Sequence, residues 1–198
     1  MSVIKEATKI LSKGGIAIYP TDTAFGIGCR IDRTKAVDRL FTIRKRPLTQ
    51  AMPILVSSVD MALAYFDSPP YIVRHLMETY WPGALTIIYR CKKNNVYSPL
   101  LGGGNTIGLR MPNHPTALAL IKAVGVPIAG PSANFHGEKT PYALEGLDPE
   151  LTKLVDIVVP GVCTLKSSST VVDCTVEPYK IIRQGVVELA SQGIALRS

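Results

Sequence analysis

Ile16, Ala17, Ile18 and Tyr19 form a short apolar run that breaks at Pro20 into PTDTAFGIG, residues 20–28. An apolar run of that length, closed by proline and hydroxyls, reads as a buried strand, and it commits the chain to a layered fold with a polar loop at the strand's end. Proline sets the direction of the chain as it leaves the sheet, Thr21 and Thr23 supply donors and acceptors, and the glycines permit close backbone approach. The whole of 20–28 is therefore expected to be a loop shaped for a small ligand. Three further polar groups are candidates to meet it: Arg44, Lys45 and Arg46; PSAN at 131–134; and SSSTVVD at 167–173. Together they point to an anionic, nucleotide-like ligand.

The remaining periodicity mixes helices and strands. Helical spacing predicts helices over 2–13, over 34–44 with Thr34 as N-cap, and over 59–66, 71–80 and 115–124, the last with Ala117, Leu118, Leu120 and Ile121 inward. Strands are expected at 53–56, 85–89, 106–110, 126–129, 157–159, 170–174, 180–183 and 186–189, with a polar, glycine-rich connection over 92–104. Strands and helices do not alternate strictly, so the expected class is α/β, an open twisted mixed sheet with flanking helices. No repeat or long linker divides the chain, and one domain over 1–198 is expected.

Composition excludes several classes. Cys29, Cys91, Cys163 and Cys174 are scattered, without metal-type pairs or a secreted scaffold's density, so reduced thiols in the cytoplasm are expected. No stretch approaches the about 18 apolar residues of a membrane span, and Lys5, Glu6 and Lys9 sit where a signal peptide needs its apolar core. The formal charge is +7, and residues 30–46 carry seven basic side chains against two acidic ones. That excess faces phosphates or solvent, and charge alone does not decide which.

Neither G-x-x-x-x-G-K-[ST] nor G-x-G-x-x-G occurs, and Gly102-Gly103-Gly104 matches neither pattern. A bound triphosphate would have to be met by side-chain cations, for which Arg44, Arg46, Arg110 and Arg183 are candidates; guanidinium groups grip phosphate or carboxylate through paired hydrogen bonds. Surface ion pairing is the bland alternative for each, and turn chemistry is the alternative for Ser132, Asn134 and Ser168 to Thr170. Arg110 and Arg183 each end an apolar strand-like segment, where ligands commonly sit. His75, His114 and His136 have no metal-ligand spacing and read as structural or exposed. No serine occupies a G-x-S-x-G elbow.

PTDTAFGIG, the basic RKRP at 44–47, WPGALT at 81–86, IGLRMPNHP at 107–115, PSAN and SSTVVD, in this order, resemble the YrdC-like threonylcarbamoyl-adenylate synthases over nearly the whole chain. The resemblance implies a sheet curved around a concave basic cavity. It also implies synthesis of threonylcarbamoyl-adenylate and pyrophosphate from L-threonine, bicarbonate and ATP, with Mg²⁺ accompanying the nucleotide, for threonylcarbamoyl modification of tRNA. Carried over by matching motif, Thr23, Arg110, Gly130 and Ser169 would hold L-threonine. Arg44, Arg46, Gln50, Thr106, Ser132, Asn134, Thr140 and Arg183 would hold ATP. No metal ligand and no general base is assigned. Expected partners are tRNA or another RNA and the downstream threonylcarbamoyl-transferase proteins, in the cytoplasm and away from membranes.

The chain also departs from the family pattern. Arg44 stands where lysine is usual, Leu55 where longer relatives often carry histidine, and Gln184 where proline is usual after the arginine. Those relatives carry a C-terminal regulatory domain, which is not expected in a chain ending at Ser198. The rival reading is a double-stranded RNA- or tRNA-binding, ribosome-maturation module of the same fold, which basicity would also suit. A third is carbamoyl transfer to another acceptor, as in hydrogenase-maturation proteins.

Overall fold

The computed structural model of the chain describes residues 2–92 and 96–189; residues 93–95 of the expected 92–104 connection lie outside them. The order is α1 Val3–Ser12, β1 Ala17–Pro20, β2 Phe25–Gly28, α2 Thr34–Arg44, β3 Ile54–Leu55, α3 Val59–Leu63, α4 Tyr71–Tyr80 and β4 Leu85–Arg90. Then follow β5 Thr106–Arg110, α5 Pro115–Val124, β6 Ile128–Ala129, α6 Pro149–Lys153, β7 Ile157–Val158, β8 Thr170–Asp173 and β9 Lys180–Arg183.

The mixed α/β expectation holds, with one revision: the strands form two sheets. A three-stranded sheet runs β2-β1-β7, and a six-stranded sheet runs β6-β3-β5-β4-β8-β9. β1 is antiparallel to β2 and parallel to β7. In the larger sheet β3/β5 and β4/β8 are parallel, while β3/β6, β4/β5 and β8/β9 are antiparallel. The sheets are stitched where β2 passes the segment after β6: Ile27 N donates to Pro131 O at 2.9 Å and Ala133 N to Phe25 O at 2.8 Å. Gly28 makes that approach possible, because a Cβ there would stand 1.7 Å from Ala129 O.

β1 shows how the core is divided. Successive strand side chains point to opposite faces. Ile16 and Ile18 join the large core that also holds Phe25, Val37, Leu40, Ile54 and Leu85. Ala17 and Tyr19 face the other way, into a smaller core with Ala7 and Leu11 of α1 and Leu120 and Ile121 of α5. The Tyr19 hydroxyl is not left stranded there, since it donates to Ala129 O at 3.0 Å.

The observed α2, α4, α5, β5 and β9 coincide with the predicted spans, while several others are shorter by a few residues at one end or both. Arg33, not Thr34, is the N-cap of α2, and its side chain makes no capping bond. In α5 the buried set is Ala117, Leu120, Ile121 and Val124; Leu118 is half-exposed. Half of the expected 20–28 loop is strand β2, and the turn is confined to 21–24. The expected strand at 186–189 does not form. The Thr170 hydroxyl takes its place, accepting from Gly185 N at 3.0 Å and donating to Val187 O at 2.6 Å, so a side chain satisfies backbone groups a ladder would have used.

Candidate active site

The β1–β2 turn, the end of α2, the middle of the larger sheet and the segments around 130–132 and 167–169 enclose a cavity of about 330 Å³. Ten of the twelve positions named from the sequence lie on its wall: Thr23, Arg110, Gly130, Ser169, Arg44, Arg46, Thr106, Ser132, Thr140 and Arg183. Gln50 and Asn134 do not. Gln50 is exposed and contributes its backbone carbonyl to Arg46, whereas Asn134 is buried behind the wall.

The turn is self-supported. Thr21 Oγ1 donates to Ala24 O at 2.6 Å and lies 3.1 Å from Thr23 Oγ1. At the end of β5, Arg110 enters a fixed cradle: Nε donates to Gly83 O at 2.9 Å, Nη1 to Thr23 Oγ1 at 2.7 Å, and Nη2 to Asp22 Oδ1. Three of the five guanidinium N–H donors are committed, leaving two for a ligand. Burial pulls Arg110 below the usual arginine range, and the Asp22 carboxylate opposes that fall. The second Asp22 oxygen is buried without a partner. The sequence reading named no role for Asp22, although a lone carboxylate between two threonines was the available signal.

A second network lies beside it. Arg183 of β9 donates through Nη2 to Ser169 Oγ at 3.0 Å and through Nε to Ser169 O at 3.1 Å. Ser169 Oγ is also 3.0 Å from Thr86 Oγ1 of β4, a wall residue that the sequence motif contained but did not single out.

The third network starts at the C-terminus of α2. Lys45 takes a left-handed conformation, φ 52°, and Arg46 N returns to Phe41 O at 3.0 Å. This turn sends Arg44 and Arg46 to the cavity, while the Lys45 ammonium sits 4.5 Å over the Phe135 ring instead. Arg44 donates to Asn134 O at 3.1 Å and Asn134 Oδ1 at 3.2 Å, and Asn134 Oδ1 also accepts from Ser132 Oγ at 2.5 Å. Asn134 thus orients two wall residues, itself held through Nδ2 by Phe135 O and Glu138 O. Arg44 Nη1 is buried and unpartnered, and burial with the neighbouring Arg46 charge pulls Arg44 down to about 10. A cation stripped of water and lacking a countercharge favours an arriving anion.

The basic run at 30–46 divides accordingly. Arg30 pairs with Asp32 at 2.7 Å and Arg39 with Asp156 at 2.6 Å, both away from the cavity wall, whereas Arg44 and Arg46 belong to it. The cavity wall carries four arginines and no Asp or Glu. Among the described residues, no group of three or more His, Cys, Asp or Glu could hold a metal ion. His114 is buried, with Nε2 3.2 Å from Val162 O, and His136 is exposed beside Arg46. All four cysteines are free and buried. No helix among the described residues is long and apolar enough to cross a membrane.

The family model described as telomere recombination, that of the Sua5, YciO and YrdC proteins, matches residues 9–185. The chain belongs to this family. It is 32% identical over 183 residues to the threonylcarbamoyl-AMP synthase of Bacillus subtilis (strain 168), covering 92% of this chain and 53% of that protein. It is 30% identical to the uncharacterized protein YciO of Escherichia coli (strain K12), covering 93% of this chain and 89% of that one. A crystal structure of P. abyssi Sua5 complexed with L-threonine superposes with a TM-score of 0.88 at 30% identity, over 92% of this chain and 54% of that chain. The chain thus spans about half the length of the Bacillus and Pyrococcus relatives and most of YciO.

Proposed function

We propose that the protein is an L-threonylcarbamoyladenylate synthase, a nucleotidyltransferase that joins L-threonine, bicarbonate and ATP and releases pyrophosphate, supplying the group for threonylcarbamoyl modification of tRNA. The observation that carries this reading is the wall itself: four arginines drawn from α2, the turn that follows it, β5 and β9, with hydroxyls between them and no wall carboxylate. Arg44 is buried with Nη1 unpartnered, and a neutral or cationic ligand would leave it without a countercharge. The kinship with a threonine-complexed Sua5 and with a named synthase supports the choice of amino acid and nucleotide.

In this reading the two uncommitted N–H donors of Arg110 take the threonine carboxylate, while the hydroxyls of Thr23 and Ser169 and the backbone at Gly130 frame its side chain and amine. Arg44, Arg46 and Arg183, with Thr106, Ser132 and Thr140, face the nucleotide and its phosphates. Bicarbonate condenses with the threonine amine to a carbamate with loss of water. A carbamate oxygen then attacks the α-phosphorus, forming the mixed anhydride as the bond to pyrophosphate breaks. The protein contributes by aligning three reactants and by stabilising charge that builds on phosphate oxygens. The wall's donor set is hydroxyl and guanidinium, so Mg²⁺ would be carried by phosphate oxygens and water rather than by a protein cage.

The test is pyrophosphate release from purified protein given ATP, Mg²⁺, bicarbonate and one amino acid at a time. The expected result is release that requires both threonine and bicarbonate, with Arg110→Ala raising the threonine KM at least about tenfold. Tight tRNA binding without amino-acid-stimulated release would replace this reading with the RNA-binding one. The wall's arginines would suit either ligand, but its converging hydroxyls favour the small-molecule reading, because a groove for a phosphate backbone has no need of them.

A further inference from the structure

The glycine run at 102–104 is absent from the cavity wall, yet it touches the segment that aims one of the wall's arginines. Residues Ser98–Leu101 form a 3₁₀ turn that ends on Gly102 in a left-handed conformation, φ 63°, followed by Gly103 at φ 79°. Gly102 N donates to Pro99 O at 3.0 Å and Gly103 N to Ser98 O at 3.2 Å, which fixes the turn internally. Leu100, fully buried, accepts from Met52 N at 3.0 Å and docks the turn on the segment 49–52. A Cβ on Gly102 would stand 2.7 Å from Ala51 N and 2.8 Å from Thr49 O, so the turn lies against that backbone with no room for a side chain.

The same short segment holds Arg46. Its Nε donates to Gln50 O at 3.2 Å and its Nη2 to Ala51 O at 2.6 Å. Backbone carbonyls cannot be adjusted by side-chain rotation, so the direction of Arg46 follows the placement of 49–51. We infer that Gly102 is a positioning residue for anion binding: its missing side chain seats 49–51, and the two carbonyls there hold Arg46 toward the phosphate-bearing part of the ligand. The inference rests on the synthase reading only in taking that ligand to be ATP.

Gly103 supplies the internal control. It has the same left-handed backbone, but a Cβ there would meet nothing within 4 Å. Gly102→Ala and Gly103→Ala therefore share the strain of forcing alanine to positive φ, and only the first pushes on residues 49–51. The experiment measures steady-state KM values for ATP and threonine in both variants, alone and combined with Arg46→Ala, alongside direct titration with a fluorescent ATP analogue. Gly102→Ala is expected to raise the ATP KM and the analogue Kd about tenfold while the threonine KM stays within about twofold; Gly103→Ala is expected to match the wild type. In the Arg46→Ala background Gly102→Ala should add nothing, because the two act as one unit. Equal values for the two glycine variants, a parallel rise in the threonine KM, or full additivity with Arg46→Ala would overturn the inference. Should Gly102→Ala not fold, Gly102→Asn is read by the same criteria, since asparagine tolerates the left-handed region and carries a Cβ in the same place. A wild type that binds the analogue but releases no pyrophosphate refutes the synthase reading, and the analogue Kd then decides the inference alone. A wild type that does not bind the analogue overturns both.

Discussion

Asp22 and Arg110 form a buried ion pair at the head of the cavity, and each depends on the other because neither has water to fall back on. Asp22→Asn leaves the guanidinium uncompensated, and a loss of about 3–5 kcal/mol in urea unfolding is expected. Replacing both partners, as Asp22→Leu with Arg110→Met, should recover much of that stability while pyrophosphate release is lost, separating the pair's structural part from its binding part. His114 gives a pH signature. Nε2 faces the Val162 carbonyl as donor, while Nδ1 is buried without a partner, so the neutral ring fits and the charged one does not. Burial lowers its pKa from the ordinary value of about 6.5. The unfolded chain therefore binds the proton more readily, and this contribution to stability is complete above about pH 6.5 and is lost as pH falls through the lowered folded value. Melting temperatures between pH 7.5 and 5 should fall more steeply for the wild type than for His114→Gln. At this scale the sequence revealed the cations and hid their orienters. Arg44, Arg46, Arg110 and Arg183 follow from motif position, whereas Asp22 and the supporting role of Asn134 emerge only when residues about ninety positions apart are brought into contact.

Among the elements, α6 tests capping away from the chemistry. Asp148 Oδ1 accepts from Glu150 N at 2.7 Å and Leu151 N at 3.3 Å, so Asp148→Ala should cost about 1 kcal/mol in denaturant unfolding. Pyrophosphate release under native conditions should be unchanged, because Asp148 is not on the cavity wall. β2 tests the seam between the sheets. Gly28→Ala would drive a methyl group into Ala129 O, and a destabilisation above about 3 kcal/mol, read from the shift in the urea midpoint, is expected. The same strand explains what local pattern could not reveal. Phe25-Gly26-Ile27-Gly28 alternates apolar residues with glycine, which reads as loop when taken alone; here the glycines are what let β2 lie between β1 and the chain after β6. Conversely 186–189 has strand-like residues, but side chains take up its backbone: the Thr170 hydroxyl and the Gln184 amide both donate to Val187 O. Helices α2, α4 and α5 were legible to the residue because each buries a continuous stripe at helical spacing.

For the molecule as a whole, the split into two sheets was not legible, because it depends on which strands pair and not on which residues form strands. The concentration of charge was partly legible. Of the basic residues at 30–46, geometry sends Arg44 and Arg46 to the cavity, and two others to carboxylates on the surface. On the proposed synthase reading, four wall arginines make ATP binding salt-sensitive: the ATP KM is expected to climb about threefold between 50 and 500 mM KCl, while a charge-neutral wall variant would show a flatter response. The wall begins at Thr21 and ends at Arg183, so its parts are drawn from almost the full length of the described chain. A ligand seated there bridges the β1–β2 hairpin and β9. It acts as a non-covalent cross-link, and occupancy at one hundred times Kd should raise global stability by about 2.7 kcal/mol. Thermal shift is then a direct assay of what the cavity accepts, and candidate amino acids and nucleotides can be ranked by the heat each lets the protein withstand.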